Sequence, residues 1–528
     1  LATTLREVHA PPTNQGVGGE TWYLNQAFSM WANDQVQYPD GRWAYPNWSG
    51  TNFNPVAYID GGAGYSKNSD FRLYGSAFAD LKILKGLNLR GVITNTRDYN
   101  YLSNLGLGAD LYHIDNSTGT IAATPDNVNA SMPTDPTKQN VSRGFYLRSD
   151  LNLQGILTYE TNFARHGIKI LAGAESRKIT DESDGITRSN LSYPTLSAIN
   201  AADPTGQETY GFGTDYKTFS LFGRLNYNFA EKYLVEANLR HDASSRFALN
   251  KRNALFPSFA VGWVLSKENF FTLDPRVISL AKIRASWGKL GNEQIANYLY
   301  LSTYNVASYY VFGGTRFTGI NEGALANPNI TWESTTAQNI GLDLGLLNNK
   351  IEVSADYFSR ASKDFLFNNF PAPGILGAAP PVQNAGEIKN EGFEISAKYR
   401  DRIGEVGIYA TANIAKVKNR ITDLDGTGTP GREVGDPVYN IYGYEAEGIF
   451  QNEEEIAQHA DQSPVVGGQS KPGDIIYKDL NGDKTVDPEH DRKNLGSYFP
   501  SINYGFSVRT IRDLICQCFG RAWRKLTA

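Results

Sequence analysis

An acidic run near the end of the chain has the spacing of a cation-binding loop. Residues 479–491 read D-x-N-G-D-x-x-x-D-x-x-x-D. Ca²⁺ binds oxygen atoms, often from positions 1, 3, 5, 7 and 9 of a single loop. The pattern predicts a calcium site, and the sequence indicates no other cofactor. The predicted ligands are the side chains of Asp479, Asn481, Asp483, Asp487 and Asp491 and the carbonyl of Thr485.

Two positions of this run depart from the usual calcium loop. Lys484 stands where the glycine of the sharp turn is expected, and His490 stands where a bidentate acid usually closes the shell. The alternative is a solvated acidic loop that binds no metal. Both interpretations remain open at the level of the sequence.

A second candidate is the aromatic segment GRWAYPNWSG at residues 41–50. Its rings, Trp43, Tyr45 and Trp48, have apolar faces of the kind that stack on sugars. The interpretation that we favour is packing of these rings against a neighbouring loop. Five tyrosines form another cluster, and they are equally compatible with ligand contacts and with the rim of a membrane sheet: Tyr298, Tyr300, Tyr304, Tyr309 and Tyr310.

These candidates must be positioned by β-hairpins, because strict alternation of apolar and polar residues recurs along the chain. Residues 219–229 place Phe219, Leu221, Leu225 and Phe229 on one side, with Phe222 as an apolar exception on the other. After the turn at 230–232, residues 233–242 alternate in the same way. A strand of about 9–11 residues crosses a bilayer, and polar groups at every second position suit a wall between lipid and water.

The connections between predicted strands fall into two classes. Short turns at 85–86, 162–167, 230–232, 348–350 and 401–405 alternate with long polar stretches near 98–143, 179–215, 364–389 and 451–500. Membrane barrels have short turns on one side and long loops on the other. We therefore predict an all-β fold, a transmembrane antiparallel β-barrel of about 14–15 strands with long extracellular loops. A large soluble β-sandwich is the alternative, which explains the one-sided loops less well.

Composition excludes several other classes of protein. The 528 residues carry a net charge of −5 and only 2 cysteines and 6 histidines, so neither a nucleic-acid surface nor a zinc site is expected. No nucleophile elbow, P-loop or HExxH motif is present. Acidic pairs such as Glu352 and Asp356 follow the strand period, so they indicate a polar wall rather than a glycosidase centre. We predict that the chain is not an enzyme.

Seven stretches together resemble the SusC/RagA type of TonB-dependent outer-membrane transporter from the Bacteroidetes. They include YLVEANLRHDASSRF at Tyr233–Phe247, LFPSFAVGWVLSKENFF at Leu255–Phe271 and KIRASWGKLGN at Lys282–Asn292. The others lie at Asn327–Phe358, Asn384–Ala397, Gly435–Gln451 and Pro472–Gly496. They follow the order of the family and together span most of residues 20–510.

The resemblance implies a barrel of about 22 strands in the outer-membrane lipid, closed by an N-terminal plug. It also implies a SusD-like surface lipoprotein and the TonB complex as partners, and an oligosaccharide or peptide as the substrate. On this basis residues 1–66 are an outer loop and strand region, and residues 67–510 are a partial barrel. A plug, a TonB box and a signal peptide are not recognisable in the sequence. We therefore expect a fragment that is not functional alone.

Residues 511–528 are the exception to the strand pattern. They contain both cysteines, Cys516 and Cys518, and no alternation. Our hypothesis is an aberrant tail that arises from a frameshift near Thr510, and the alternative is a natural C-terminal helix.

We predict that the chain is part of an outer-membrane importer of glycans or peptides. One alternative is a secreted, soluble β-rich glycan-binding protein or glycoside hydrolase, and another is a structural or adhesive surface barrel.

Overall fold

The computed structural model describes residues 2–10, 35–45, 54, 56–57, 64–107, 110–115, 118–124, 139–191, 193, 196–367, 375, 380–425, 432–511 and 515–524. Its main element is a 15-stranded antiparallel sheet in which each strand pairs with its neighbours along the chain. The strands are β1 (Ala2–Ala10), β2 (Gly64–Leu84), β3 (Leu87–Gly106), β4 (Asn140–Phe163), β5 (His166–Ser189), β6 (Gln207–Phe229), β7 (Tyr233–Ser244), β8 (Asn253–Val264), β9 (Ile278–Asn292), β10 (Glu333–Leu346), β11 (Ile351–Phe367), β12 (Gln383–Ile403), β13 (Val406–Asp423), β14 (Ile502–Ile511) and β15 (Ile515–Arg524).

Shorter elements lie in the connections. Two α-helices, α1 (Glu453–Gln458) and α2 (Ser463–Val466), occur between β13 and β14, and three 3-10 turns lie at Ile199–Ala201, Pro204–Gly206 and Leu265–Lys267. The described residues also include five pairs of short strands. They are Trp43–Ala44 with Leu111–Tyr112, Ile114–Asp115 with Thr120–Ile121, Tyr304–Phe312 with Thr315–Glu322, Asn440–Tyr444 with Arg492–Ser497, and Ala446–Ile449 with Ile475–Tyr477. Within the described ranges, no helix is long and apolar enough to cross a membrane.

The short turns lie close to where the alternation predicts them. Gly86 has φ +83°, which its lack of a Cβ permits, so β2 and β3 are joined by Lys85-Gly86 as predicted. The turn at 230–232 is also confirmed, and the Asn228 side chain accepts a hydrogen bond from the Glu231 amide at 2.8 Å. The turns at 164–165, 347–350 and 404–405 differ from the predicted limits by a few residues because the strands extend further or end earlier than the pattern shows.

The four predicted long connections are present at 107–139, 190–206, 368–382 and 424–501, and the first three are shorter than predicted. A further long connection at 293–332, between β9 and β10, was not predicted. The first five hairpin strands after β1 have 20–24 residues, about twice the length needed to cross a bilayer. Such strands continue into water, where both faces are wet and alternation no longer marks them. The last connection begins earlier than predicted, at residue 424, and is largely ordered by hairpins and helices.

The contacts of the chain divide it into two compact units. Unit 1 comprises residues 1–79, 91–154 and 175–217. Its buried cluster consists of Leu105, Val141, Leu191 and Ala202. These side chains lie at strand ends and in the following connections, so they anchor the connection at 190–206 to the sheet.

Unit 2 comprises residues 80–90, 155–174 and 218–528. Its buried cluster, Phe247, Ile330 and Trp332, also lies in connections, next to the ends of β7 and β10. The strands themselves have no buried core on one side, because their apolar side chains are exposed: Phe219, Leu221, Leu225, Leu239, Phe259, Ile340, Phe393 and Phe506. Transfer of each such side chain from water to lipid is favourable by about 1.5–3 kcal/mol. This exposed face is the one predicted to contact the membrane.

The tail adds a strand to the sheet. Strand β15 pairs with β14 from Ile511 opposite Ile515 to Ile502 opposite Arg524. The alternative of a C-terminal helix is therefore wrong for residues 515–524. The frameshift remains a hypothesis that sequencing of the encoding DNA tests.

Candidate functional site

The polar face of the sheet is the side opposite the exposed apolar residues of unit 2. It carries polar side chains on β6, β7, β9, β10 and β11. These are, in that order, Asn226, Glu236, Arg284, Asp343 and Asp356. Because side chains alternate between the faces of a strand, the sequence predicts this separation directly. The charges of Arg284, Asp343 and Asp356 are matched with one another.

Arg284 on β9 is the centre of the largest of these charge networks. Its guanidinium contacts Asp343 of β10 at 3.2 Å and reaches across that strand to Asp356 of β11 at 2.6 Å. Ser354 accepts a further hydrogen bond from Arg284 at 3.1 Å. Charge-assisted pairs of this kind are stronger than neutral hydrogen bonds, and they hold three strands in register.

Gly341 makes this long reach sterically possible. It lies on β10 directly opposite both Arg284 and Asp356. A Cβ atom at this position would lie 2.5 Å from Cζ of Arg284, which is closer than any real contact. The absence of a side chain at residue 341 therefore gives the guanidinium its path over the β10 backbone.

A second network covers β6 and β7. Arg240 pairs with Asp242 at 2.8 Å and donates to the Ser220 hydroxyl at 2.8 Å. The Arg240 guanidinium also lies 5.4 Å from the centre of the Phe222 ring. Phe222, the apolar exception in the alternation, thus lies beneath a cation and interacts favourably with it.

Unit 1 carries similar polar contacts on its own strands. Arg177 pairs with Asp150 at 2.5 Å, and Glu175 accepts hydrogen bonds from Asn152 at 2.8 Å and Gln154 at 3.0 Å. These contacts connect β4 to β5, although Oδ1 of Asn152 is buried without a hydrogen-bond partner among the described residues.

A row of aromatic rings follows the short-turn edge of unit 2. Neighbouring ring centres lie 4.9 Å apart for His166 and Phe229, 6.3 Å for Phe229 and Tyr233, and 6.4 Å for Tyr233 and Trp263. Aromatic residues are enriched where membrane strands meet the interface. Phe229 and Tyr233 flank the turn at 230–232, and the row continues the same arrangement over neighbouring strands.

Glu268 connects this aromatic row to the adjacent turn. Hydrogen bonds from Tyr233, Lys232 and Trp263 lower the pKa of the Glu268 carboxyl to about 2. Nζ of Lys232 lies 3.0 Å from Oε2 of Glu268, and the indole Nε1 of Trp263 donates to Oε1 at 3.1 Å. The carboxylate therefore remains charged at every physiological pH and fixes the connection after β8.

The predicted calcium ligands lie in one loop, but most of their oxygens accept hydrogen bonds from the loop itself. The Asp479 carboxylate accepts hydrogen bonds from the backbone amides of Gly482 at 2.6 Å and Lys484 at 2.9 Å. Asp491 is fully buried and accepts the amides of Leu480 and Asp487.

The remaining members of the run, Asn481, Asp483 and Thr485, form further local turns. A hydrogen bond from His490 lowers the pKa of the Asp487 carboxyl and raises that of the imidazole. No group of three or more His, Cys, Asp and Glu side chains in the described ranges is arranged to hold a metal. Calcium binding remains a prediction that titration tests.

The aromatic segment at 41–50 is described only in part. Trp43 and Ala44 pair with Leu111 and Tyr112, and the Tyr45 amide donates to the Tyr112 carbonyl at 2.7 Å. Trp48 lies outside the described residues. The segment is thus tied to a neighbouring connection through its backbone, and stacking on sugar remains a prediction.

Three of the five tyrosines at 298–310 have contacts that can be described. Tyr300 packs against the buried cluster of unit 2, whereas Tyr304 and Tyr310 lie on the hairpin Tyr304–Phe312 with Thr315–Glu322. In that hairpin Tyr310 contacts Phe312 and Phe317, with ring centres 5.4 and 6.1 Å apart. Tyr300 and Tyr310 therefore have different packing partners.

Comparison with known proteins identifies the family. The family described as "TonB dependent receptor-like, beta-barrel" matches residues 13–456. The chain belongs to this family. Its relatives are receptors and transporters of the outer membrane rather than enzymes.

Two curated relatives and one solved structure define the degree of similarity. TonB-dependent receptor P3 of Formosa agariphila is 30% identical over 67% of this chain and 36% of the relative. TonB-dependent receptor SusC of Bacteroides thetaiotaomicron is 32% identical over 53% of this chain and 28% of the relative. The RagAB peptide transporter has the same fold, with a TM-score of 0.72, 20% identity, and coverage of 89% of this chain and 49% of that chain. The predicted SusC/RagA-type barrel fold is confirmed, and the chain spans about a third of the length of the curated relatives.

Proposed function

We propose that the chain forms part of the wall of a TonB-dependent importer that carries an oligomeric nutrient, a glycan or a peptide, across the outer membrane. The observation that carries this proposal is the two-sided sheet of unit 2. One face presents exposed apolar side chains, and the other presents charges that neutralise one another. Such a wall separates lipid from a wet passage.

The proposed partners are a SusD-like surface lipoprotein and the TonB complex, which acts through a plug. The relatives support this choice, because they include TonB-dependent receptors and one described as a peptide transporter. The ion pairs of Arg240 with Asp242 and of Arg284 with Asp343 place polar, mutually neutralised groups on this face, which suits the wall of a wet passage.

Deletion of the gene that encodes this chain tests the proposal. The deletion strain should lose energy-dependent uptake of a labelled glycan or peptide fraction that the parent strain imports, and removal of TonB should have the same effect. The gene product should also require detergent for extraction from the outer-membrane fraction. Undiminished uptake of every fraction, or release of the protein without detergent, would contradict the proposal.

A further inference from the structure

A pocket of about 790 Å³ lies on the polar face of β11–β14, at the end next to the connection 424–501. The strands contribute Ser362, Asn390, Asn419 and Asn503 to its wall, among others. The connection adds the rings of Tyr439, Tyr498 and Phe499 and the ring of Pro500. A volume of this size is typical of sites for small molecules.

The rings of the pocket are exposed rather than packed into a core. Tyr498 is 70% exposed, Phe499 64% and Tyr439 59%. Tyr439 and Phe499 meet edge to face, with centres 5.2 Å apart, so the two rings support each other's position. Large rings held in place but left open to water offer apolar surface to a ligand.

Hydrogen bonds fix the amide groups beside these rings. Asn419 accepts the Val438 amide at 2.8 Å and donates to Oδ1 of Asn390 at 2.7 Å. This orientation leaves Nδ2 of Asn390 without a partner among the described residues. The Asn503 side chain likewise has no hydrogen bond within the described structure. The pocket therefore combines positioned aromatic surface with free amide groups.

None of the described residues that line the pocket is charged. Charged side chains on the same strands alternate with Asn390 and pair with one another: Lys389 with Glu391 at 2.8 Å and Arg420 with Glu391 at 3.0 Å. This neutrality contrasts with the charge networks elsewhere on the polar face.

We infer that this pocket is a binding subsite for neutral carbohydrate. Sugars present apolar ring faces that pack on aromatic side chains and hydroxyl groups that bond to amides. This inference rests on the proposed function and narrows its substrate class to glycans without charge.

Other ligand classes fit the pocket less well. An acidic glycan or a phosphate is usually recognised by Arg or Lys, and neither is among the described residues that line the pocket. A purely apolar ligand would desolvate the amides of Asn390 and Asn503 without replacing their hydrogen bonds. Strands β11–β14 are each paired on both sides, so an extended peptide finds no free strand edge to join.

The test uses the gene product that carries this chain, purified in detergent and applied to an array of neutral glycans, acidic glycans and peptides. The expected result is retention of neutral glycans above the other two classes. Titration calorimetry with the best neutral glycan then gives the affinity. Binding restricted to acidic glycans or peptides, or no binding to any neutral glycan, would overturn the inference.

Two variants connect the binding to this pocket. Tyr498→Ala combined with Phe499→Ala should weaken the affinity at least tenfold, because it removes two exposed rings. The matched control is Tyr310→Ala combined with Phe312→Ala, which removes exposed rings from a separate hairpin and should leave the affinity unchanged. Equal loss in both double variants, or no loss in the first, would assign the binding elsewhere.

Asn503→Ala provides a milder second variant, since its side chain has no partner within the described structure and its loss should not unfold the protein. An affinity loss of about threefold to tenfold is expected, and unchanged affinity would remove Asn503 from the subsite. Uptake assays keep the two proposals apart. Normal uptake by the Tyr498→Ala, Phe499→Ala variant contradicts only the subsite, whereas normal uptake by the gene deletion contradicts the importer itself.

Discussion

The short-turn half of unit 2 and its end beside the connection 424–501 use the same polar face in opposite ways. Near the short turns, Arg284, Asp343 and Asp356 bond to one another and leave little capacity for a ligand. Near the long connection, amides and rings remain open, and the described part of the pocket wall carries no charge. Groups that satisfy each other stabilise a wall, whereas groups left open are available to a ligand.

The largest effect is expected from Arg284→Ala. Its loss leaves Asp343 and Asp356 half-buried without their cation, and we expect a loss of about 2 kcal/mol in the free energy of unfolding. Urea unfolding of the protein in detergent micelles measures this change. The control, Arg400→Ala, removes an arginine whose side chain is 63% exposed and should change stability by less than about 0.5 kcal/mol. Similar values for both variants would remove the distinction between network and surface pair.

Gly341→Ala should have the next largest effect on the short-turn half. The new Cβ must displace the flexible end of the Arg284 side chain from its path to Asp356, which weakens that hydrogen bond at a cost of about 0.5–1.5 kcal/mol. Gly155→Ala is the control, because a Cβ at that position meets nothing within 4 Å. The same unfolding experiment measures both, and a smaller loss at residue 341 than at residue 155 would contradict the steric argument.

Much of this arrangement can be predicted from alternation, but the pocket cannot. The two faces, the turns at 85–86 and 230–232, and the polar role of Arg284 follow from period-two patterning. The pocket combines residues from five separated parts of the chain, and no local spacing relates Asn390 to Tyr498. The one local signal is Tyr498-Phe499-Pro500, a pair of large rings immediately before a strand.

The reach of Arg284 to a second strand was equally inaccessible from the sequence. Alternation places Arg284 and Asp356 on the same face but does not show that Gly341 lies between them. That relation depends on the register of two strand pairs, which the sequence pattern leaves undetermined. The calcium motif differs, because its spacing is easily recognised in the sequence. The structure nevertheless shows that its carboxylates accept hydrogen bonds from backbone amides of the same loop.

Asn419→Ala is expected to loosen the end that carries the pocket without affecting the short-turn half. It removes the acceptor of the Val438 amide, worth about 1 kcal/mol. Amide hydrogen exchange around residues 436–440 should accelerate about fivefold, while exchange in β9 and β10 stays constant. Uniform acceleration across both regions would show that they are not energetically separate.

A smaller, pH-dependent effect is expected for Glu268 at the short-turn edge. Its folded pKa of about 2 lies below its ordinary value of 4.5, so its stabilising contribution is full above about pH 4.5 and is lost as the pH falls through 2. Glu268→Gln should therefore lower the thermal midpoint at pH 7, and the difference should vanish near pH 2. Circular dichroism in detergent follows it, and a difference that persists below pH 2 would contradict the assigned cause.

The smallest effect is expected from Ca²⁺ at the acidic run. If the segment binds, the affinity should resemble that of extracellular calcium modules, with a dissociation constant of about 10⁻⁴–10⁻³ M. Titration calorimetry measures it, and Asp483→Ala should abolish the heat. The absence of heat in the unmodified protein would leave the carboxylates with a structural role only.

The space above Gly341, which the Arg284 guanidinium occupies, also has a consequence for sequence comparison. A side chain at residue 341 would compete with the Arg284 guanidinium for the same volume over β10, so the cation would have to take another path. Positions 284, 341 and 356 should therefore change together among relatives. A relative that carries a bulky residue at the position of Gly341 is expected to replace the Arg284–Asp356 pair with smaller, uncharged residues.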